Sequence, residues 1–394
     1  MRLTLHIGTE KTATTTIQHF LLHNQDQLKK HAIALSAVAG RGNNRRLAAY
    51  CQPRDGQDDF WAHHNLRTVD ERDQFFDGFE ADLAAEIAQA ATWADHMVLS
   101  SEHFHSRLRD VAAIQRLHDV LAPHFSDIRV LCYVREQAAT AQSLYSTAIK
   151  AGVAANFDRF MGQCTPASPR YNYLATGQSW ASVFGHDAVE FRLFLRDKFK
   201  QGDICSDFLD AVDPALDPDG FARLDRDQNE SLGAFGIQLG LINNQVNPRY
   251  RPDGSPNPVH LQVRTALQAT DLAAQGVVSF AAAADIHAAF DACNRAFAAE
   301  FLKDPDGTGG NPFPPPKTHL AANATLSTDQ LGTFWQAFLT QLQDAPILGQ
   351  AEANRLRRTA RKLKRGKPLD PDEITALNQI IDRVAPPPRK GGRS

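Results

Sequence analysis

Leu3-Thr4-Leu5-His6-Ile7-Gly8-Thr9-Glu10-Lys11-Thr12-Ala13-Thr14-Thr15-Thr16 stands almost at the start of the chain. Its first five residues read as a short buried strand, mostly apolar and closed by a glycine. Ile17, Phe20, Leu21 and Leu28 then recur at helical spacing, which predicts a helix over Thr15 to Lys30. A strand that turns directly into a helix gathers unpaired backbone N–H groups at one point, where the helix dipole favours an anion. Lys11 adds a full positive charge, and the hydroxyls of Thr12, Thr14, Thr15 and Thr16 add donors. Such a loop suits a phosphate or a sulfate. A threonine-rich helix start beside a surface lysine would have the same composition, so the rest of the chain has to decide.

Further strands lie outward from this segment. Met97-Val98-Leu99-Ser100-Ser101 and Ile128-Arg129-Val130-Leu131-Cys132-Tyr133-Val134 are short apolar runs. The alternation of Ala188 to Phe194 suggests a more exposed strand, and Ile33 to Leu35 a short one. Helical patterns at Leu83 to Trp93 and Glu136 to Ala151 accompany them. Strands alternating with helices predict an α/β fold, a parallel sheet of P-loop type flanked by helices, with an added helical C-terminal region.

The loop is not that of common ATP or GTP hydrolases. Their G-x-x-x-x-G-K-[ST] pattern puts lysine after the second glycine, whereas Lys11 precedes the threonines. A second element lies at the end of the third strand. Arg135 there can grip a phosphate through two charge-assisted hydrogen bonds. Ser143, eight residues on in the next helix, can donate a hydroxyl from a similar face. The carboxyl ends of parallel strands are where open α/β sheets bind ligands.

Together these elements resemble the PAPS-dependent sulfotransferases, bacterial members included. Their 5′-phosphosulfate loop runs roughly Pro-Lys-[Ser/Thr]-Gly-Thr-Thr, and an arginine and a serine eight residues apart hold the 3′-phosphate. The resemblance covers roughly residues 1–210 and departs at Glu10, where proline is usual, and at Ala13, where glycine is usual. It implies sulfuryl transfer from 3′-phosphoadenylyl sulfate (PAPS) to a hydroxyl or amine acceptor, a carbohydrate being favoured. The product would be adenosine 3′,5′-bisphosphate (PAP), and no metal is called for. Lys11, Thr12, Ala13, Thr14, Thr15 and Thr16 would hold the 5′ end, with Arg135 and Ser143 on the 3′-phosphate.

Ser100-Ser101-Glu102-His103 resembles the bacterial turn after the second strand. Either Glu102 or His103 would take the acceptor's proton. Extended backbone there would point the two side chains to opposite faces, and the match to the bacterial pattern favours Glu102. His105 is left as a surface residue. Rival functions are a non-catalytic glycan- or nucleotide-binding relative and a small-molecule kinase of the same fold.

Composition narrows the class. The chain has 394 residues, is 43% hydrophobic and 22% charged, and carries a net charge of −3. That argues against a globally basic nucleic-acid binder. Five scattered cysteines form no C-x-x-C pair, which together with an immediate first strand fits a cytoplasmic protein without a leader or a transmembrane segment. The expected organisation is a core over 1–215, a helical continuation over 216–303, a Gly/Pro-rich linker over 304–326, a helical region over 327–385 and a disordered tail over 386–394. Helices are expected near 231–246, opened by Asn229 or Ser231, and near 259–275, 281–302, 327–344, 350–364 and 371–384. Residues 39–75, with Gly40 to Arg46, Trp61, His63 and His64, suit an acceptor pocket. The basic stretch 355–367 would be a solvated helix face, or a peripheral contact with anionic polysaccharide or lipid.

Overall fold

The computed structural model describes residues 1–224, 232–251, 255–268, 282–302, 309–316 and 349–365, with scattered positions between 367 and 379. Asn229 and Ser231, most of the 304–326 stretch, the helix expected near 327–344, most of 371–384 and the 386–394 tail lie outside the described residues.

Five strands form one parallel sheet: β1 (Arg2–His6), β2 (Ile33–Leu35), β3 (His96–Ser100), β4 (Asp127–Val134) and β5 (Val189–Leu193). All five expected strands form, with ends within a residue or two of the sequence reading. Their order is β2-β3-β1-β4-β5. The fold is therefore α/β, a parallel sheet flanked by helices. The helices that matter below are α1 (Thr14–His23), α2 (Phe79–Ala90), α3 (Glu102–Arg107), α4 (Val111–Leu121), α5 (Gln137–Lys150), α6 (Tyr173–Phe184), α7 (Ile204–Val212), α8 (Ala234–Val246), α9 (Pro258–Gln268), α10 (Asp291–Phe301) and α11 (Gln350–Lys364).

β1 is the central strand because it can be buried on both faces. Leu3 and Leu5 enter a core with Met97, Leu99, Val130, Cys132, Trp180 and Phe297. The opposite face packs Ile17, Phe20 and Leu21 of α1 and Phe208 and Leu209 of α7 against Val98, Leu131 and Tyr133. The two buried polar residues of β1 pair sideways with β3. Thr4 Oγ1 meets His96 Nε2 at 2.9 Å, and His6 Nδ1 meets Ser100 Oγ at 2.8 Å. Unpaired, such buried groups would each cost about 1–3 kcal/mol. β5 is an edge strand and is buried only on alternate residues, as its sequence alternation predicts.

The topology makes a crevice. From β1 the chain crosses toward β2 on one side, and from β4 it crosses toward β5 on the other. β1 and β4 are neighbours, so the connections leaving their carboxyl ends diverge, which is where open α/β sheets take ligands. The loop of residues 7–13 follows β1, and Arg135 follows β4.

The expected helix over 15–30 is two helices. Asn24 interrupts it, with Nδ2 donating to Phe20 O and Ala222 O, both at 3.0 Å, and Oδ1 accepting Ala222 N at 2.8 Å. The helix expected over 281–302 is likewise divided, at Phe290.

The chain divides into two compact units. The first comprises Met1–Thr140, Cys164–Gln228 and Ala284–Pro316 and carries the whole sheet. The second comprises Ala141–Gln163, Asn229–Ala283 and Lys317–Ser394. Its described elements are mainly helices, among them the greater part of α5, α8, α9 and α11. Tyr145 and Ile149 pack there with Leu232 and Ile237. The basic stretch falls on α11, which buries Ala353 and Leu356 and exposes Arg355, Arg357, Arg358 and Arg361. All five cysteines are free thiols. Among the described residues no helix is long and apolar enough to cross a membrane.

Candidate active site

The loop after β1 departs from ordinary backbone at three places. Gly8 has φ 41°, and a Cβ there would lie 2.5 Å from Thr14 Cγ2, so only glycine fits. Lys11 (φ 72°) and Ala13 (φ 59°) are left-handed, while Thr12 between them is not. That alternation turns successive N–H groups toward one concavity, the geometry of a backbone anion nest. Ala13 is also the N-cap of α1 and brings no side-chain cap, and the first turn of α1 holds no acid. The leading amides of α1 thus face the loop without a side-chain acceptor from its own cap.

The threonines divide their work. Thr9 Oγ1 donates to Tyr133 O at 2.8 Å, and fully buried Thr12 Oγ1 donates to Thr9 O at 2.7 Å. Thr12 therefore staples the loop, and what it offers outward is its amide rather than its hydroxyl. Thr14 is buried, Thr16 half-buried and Thr15 exposed.

Ala13 holds a conformation that costs an L-residue about 1–2 kcal/mol. Ala13→Gly should remove most of that strain and raise Tm by about 2 °C. A calorimetric scan showing a lower Tm would mean that the alanine methyl packs favourably enough to outweigh the strain.

Two cations meet beside this loop. Arg135 Nη1 lies 3.5 Å from Lys11 O, and its guanidinium stands 5.9 Å from the Phe194 ring centre. Tyr173 Oη donates to Arg135 O at 2.6 Å and fixes the strand end. Burial pulls the Lys11 pKa down; the charges of Glu10 and Glu102 oppose this and that of Arg135 adds to it. Burial also lowers the Arg135 pKa. Neither cation forms an ion pair with a described residue. Glu10 instead turns to Arg170, 3.5 Å away.

Glu102 and His103 do not continue the strand. Ser101 caps α3 by accepting His103 N, so both residues lie in the first helical turn. The expected divergence to opposite faces is wrong for that reason: His103 Nε2 is 3.7 Å from Glu102 Oε1. Glu102 Oε2 accepts Gln18 Nε2 at 2.9 Å and Asn43 Nδ2 at 3.2 Å. Asn43 Oδ1 in turn accepts Ser101 Oγ at 2.6 Å, and Asn44 Oδ1 accepts Ser100 N, also at 2.6 Å. Glu102 is thus aimed by amides from α1 and from the loop after β2.

His103 lies near the charges of Arg45, Arg107 and Asp59 as well as that of Glu102. Arg45 pairs with Asp58 and with Asp59, and Arg107 Nε pairs with Asp58 at 2.6 Å. Burial, then the charge of Arg45, pulls the His103 pKa down to about 4. His105, expected at the surface, is buried, because α3 turns its middle into the core. Residues 39–75 also turn inward more than expected. Trp61 is buried against Phe60 and Phe76, while His63 and His64 are exposed.

Four interior histidines link stability to pH. Burial leads in lowering His6 to about 3 and His96, His103 and His105 to about 4, from an ordinary 6.5. Between those values the unfolded chain binds more protons than the folded one, so stability falls as pH falls from 6.5 toward 4. Urea unfolding should show a clearly lower midpoint at pH 5 than at pH 7.5. Equal midpoints would mean that these rings are protonated without penalty in the fold.

Sequence reasoning missed Gln18, Arg170 and the Arg45–Asp58–Arg107 group. Gln18 reads as an ordinary helix-surface residue, and nothing near Arg170 marks it. Asn43 lies within the Gly40 to Arg46 segment but was read as an acceptor residue, not as a support for Glu102. Ser143 is buried on α5, in the part belonging to the second unit. Among the described residues no group of three or more His, Cys, Asp or Glu is placed to hold a metal ion.

No family model matches the chain, and no curated protein matches it. Among solved structures it is similar to a sulfotransferase from Alicyclobacillus acidocaldarius, with 18% identity and a TM-score of 0.33, over 57% of this chain and 86% of that one.

Proposed function

We propose that the protein transfers a sulfuryl group from PAPS to a hydroxyl or amine acceptor. One observation carries the reading: Lys11 and Arg135, partly buried and in no ion pair with a described residue, stand together at the divergence of β1 and β4 beside a left-handed amide nest. Two like charges so placed repel unless an anion joins them. A nucleotide bearing phosphates at both its 5′ and 3′ positions supplies two.

In this scheme the nest and the start of α1 hold the 5′-phosphosulfate through the amides of Thr12, Ala13 and Thr14 and the side chains of Thr15 and Thr16. Arg135 holds the 3′-phosphate. Ser143 is proposed as its second donor on the sequence spacing. The acceptor oxygen or nitrogen attacks sulfur, and the bond from sulfur to the bridging oxygen breaks. Its electron pair stays on the 5′-phosphate, where Lys11 offsets the new charge. The acceptor's proton passes to the Glu102 carboxylate, already oriented by Gln18 and Asn43. Most of the rate enhancement then comes from positioning and fixed electrostatics.

Incubation with PAPS and a panel of phenols, alcohols, sugars and amines tests the scheme. Acceptor-dependent release of PAP, with ATP left intact, is the expected result. ATP consumption without PAP release under any acceptor would point to a kinase instead.

A further inference from the structure

A cavity of about 410 Å³ opens on the first unit, with Tyr50, Gln52, Glu80, Arg116, Asp119 and Val120 among its walls. It stands clear of the candidate active site. The short helix Arg45–Cys51 leads from one to the other: Asn44, before its first residue, accepts Ser100 N at the end of β3, and Gln52 follows its last. A helix of that length spans about 10 Å. Arg116, Asp119 and Val120 belong to the later half of α4, which leads to the amino end of β4. Gln52 is only 7% exposed, and its Nε2 is buried without a hydrogen-bond partner. A native interior rarely leaves such a donor unpaired.

The charged walls are unequally engaged. Arg54 belongs to the loop: its Nε pairs with Asp73 at 3.1 Å, and its Nη1 donates to the carbonyls of Ala49, Tyr50 and Gln52. Arg116 donates from Nε to Cys51 O at 2.8 Å and forms no ion pair with a described residue. A guanidinium has five N–H groups, so most of this one is left for an anion. Glu80 Oε1 accepts Tyr50 Oη at 2.5 Å. Asp119 Oδ1 accepts Gln115 Nε2 at 2.7 Å and lies 3.5 Å from His118 Nδ1. Each of these two carboxylates keeps its second oxygen.

That inventory selects a ligand. Two arginines and three carboxylates line the cavity, so a doubly charged phosphate would meet more repulsion than attraction. The acids are not placed to hold a metal ion among the described residues. A molecule with one carboxylate and one ammonium group meets both needs, since Arg116 takes the first and Glu80 and Asp119 take the second. Pro53, Val120 and the Tyr50 ring give the carbon chain between them an apolar wall. We propose that this cavity binds a small zwitterion of the amino-acid class, with its carboxylate on Arg116, its ammonium at Glu80 and Asp119, and the Gln52 amide as a further contact. The site is separate from the nucleotide site and does not rest on the sulfuryl-transfer reading.

Titration calorimetry on the whole chain tests it with glycine, β-alanine, 4-aminobutyrate and 5-aminopentanoate, which hold the two charges at growing separation. Butyrate and butylamine, with one charge each, are the controls. At least one zwitterion should bind at millimolar concentration, about tenfold more tightly than either control, the effect of one added charged hydrogen bond. Arg116→Gln should weaken that ligand by about tenfold, again the loss of a charged contact. Gln52→Met replaces an amide whose Nε2 has no partner, so its Tm should not fall while binding weakens by about fivefold. Arg116 is exposed, so its variant should also keep its Tm. Failure of all four zwitterions to bind, equal binding by butyrate or butylamine, or wild-type affinity in Arg116→Gln would overturn the proposal.

Discussion

Lys11→Ala should lower turnover by about 10²-fold or more, the usual effect of losing one preorganised electrostatic contact to a developing charge. Lys11 is held by a left-handed backbone at the mouth of the nest, so its charge does not have to be gathered during reaction. Burial lowers its pKa, but Glu10 and Glu102 support the ammonium form. Lys11→Arg keeps the charge on a larger, planar group and should recover only part of the rate. Steady-state kinetics with PAPS and any working acceptor measure both. Near-normal turnover in Lys11→Ala would remove the loop from the mechanism.

Glu102→Gln is the second large effect. General-base loss costs typically 10²- to 10⁴-fold in rate, and proton removal has no part in holding the nucleotide. The glutamine should therefore leave PAP affinity within about twofold while turnover falls by about 10²-fold or more. Its side-chain oxygen can still accept from Gln18 or Asn43, so the local fold should persist. His103→Asn should change rate only modestly, because burial and then the charge of Arg45 make that ring a weak base. The opposite ranking of the two variants would hand the base role to His103.

The sheet was legible because its strands are short apolar runs with clear ends. β1 and β4 read as buried strands, and β5 as a more exposed one, from periodicity alone. The places of the loop after β1 and of Arg135 after β4 were legible too, since each follows such a strand directly. One reading failed for a local reason: Ser101 caps a helix, so Glu102 and His103 obey helical rather than strand geometry. Trp61 and its neighbours Phe60, Phe75, Phe76 and Phe79 pack on one another, so the aromatics of the 39–75 segment contribute core while its histidines stay exposed. The partners of Glu102 could not be read from sequence at all. Gln18 lies 84 residues away and Asn43 lies 59 away, and hydrogen bonds between separate elements leave no periodic trace.

The 3′-phosphate is what distinguishes this reading from every ordinary adenine-nucleotide site. Titration calorimetry of wild type and Arg135→Ala with PAP and with adenosine 5′-phosphate tests it directly. Wild type should bind PAP more tightly, and Arg135→Ala should lose roughly 1.5–3 kcal/mol toward PAP, the worth of a charged hydrogen bond, with adenosine 5′-phosphate scarcely affected. Equal weakening toward both nucleotides, or wild-type indifference to the 3′-phosphate, would contradict the account.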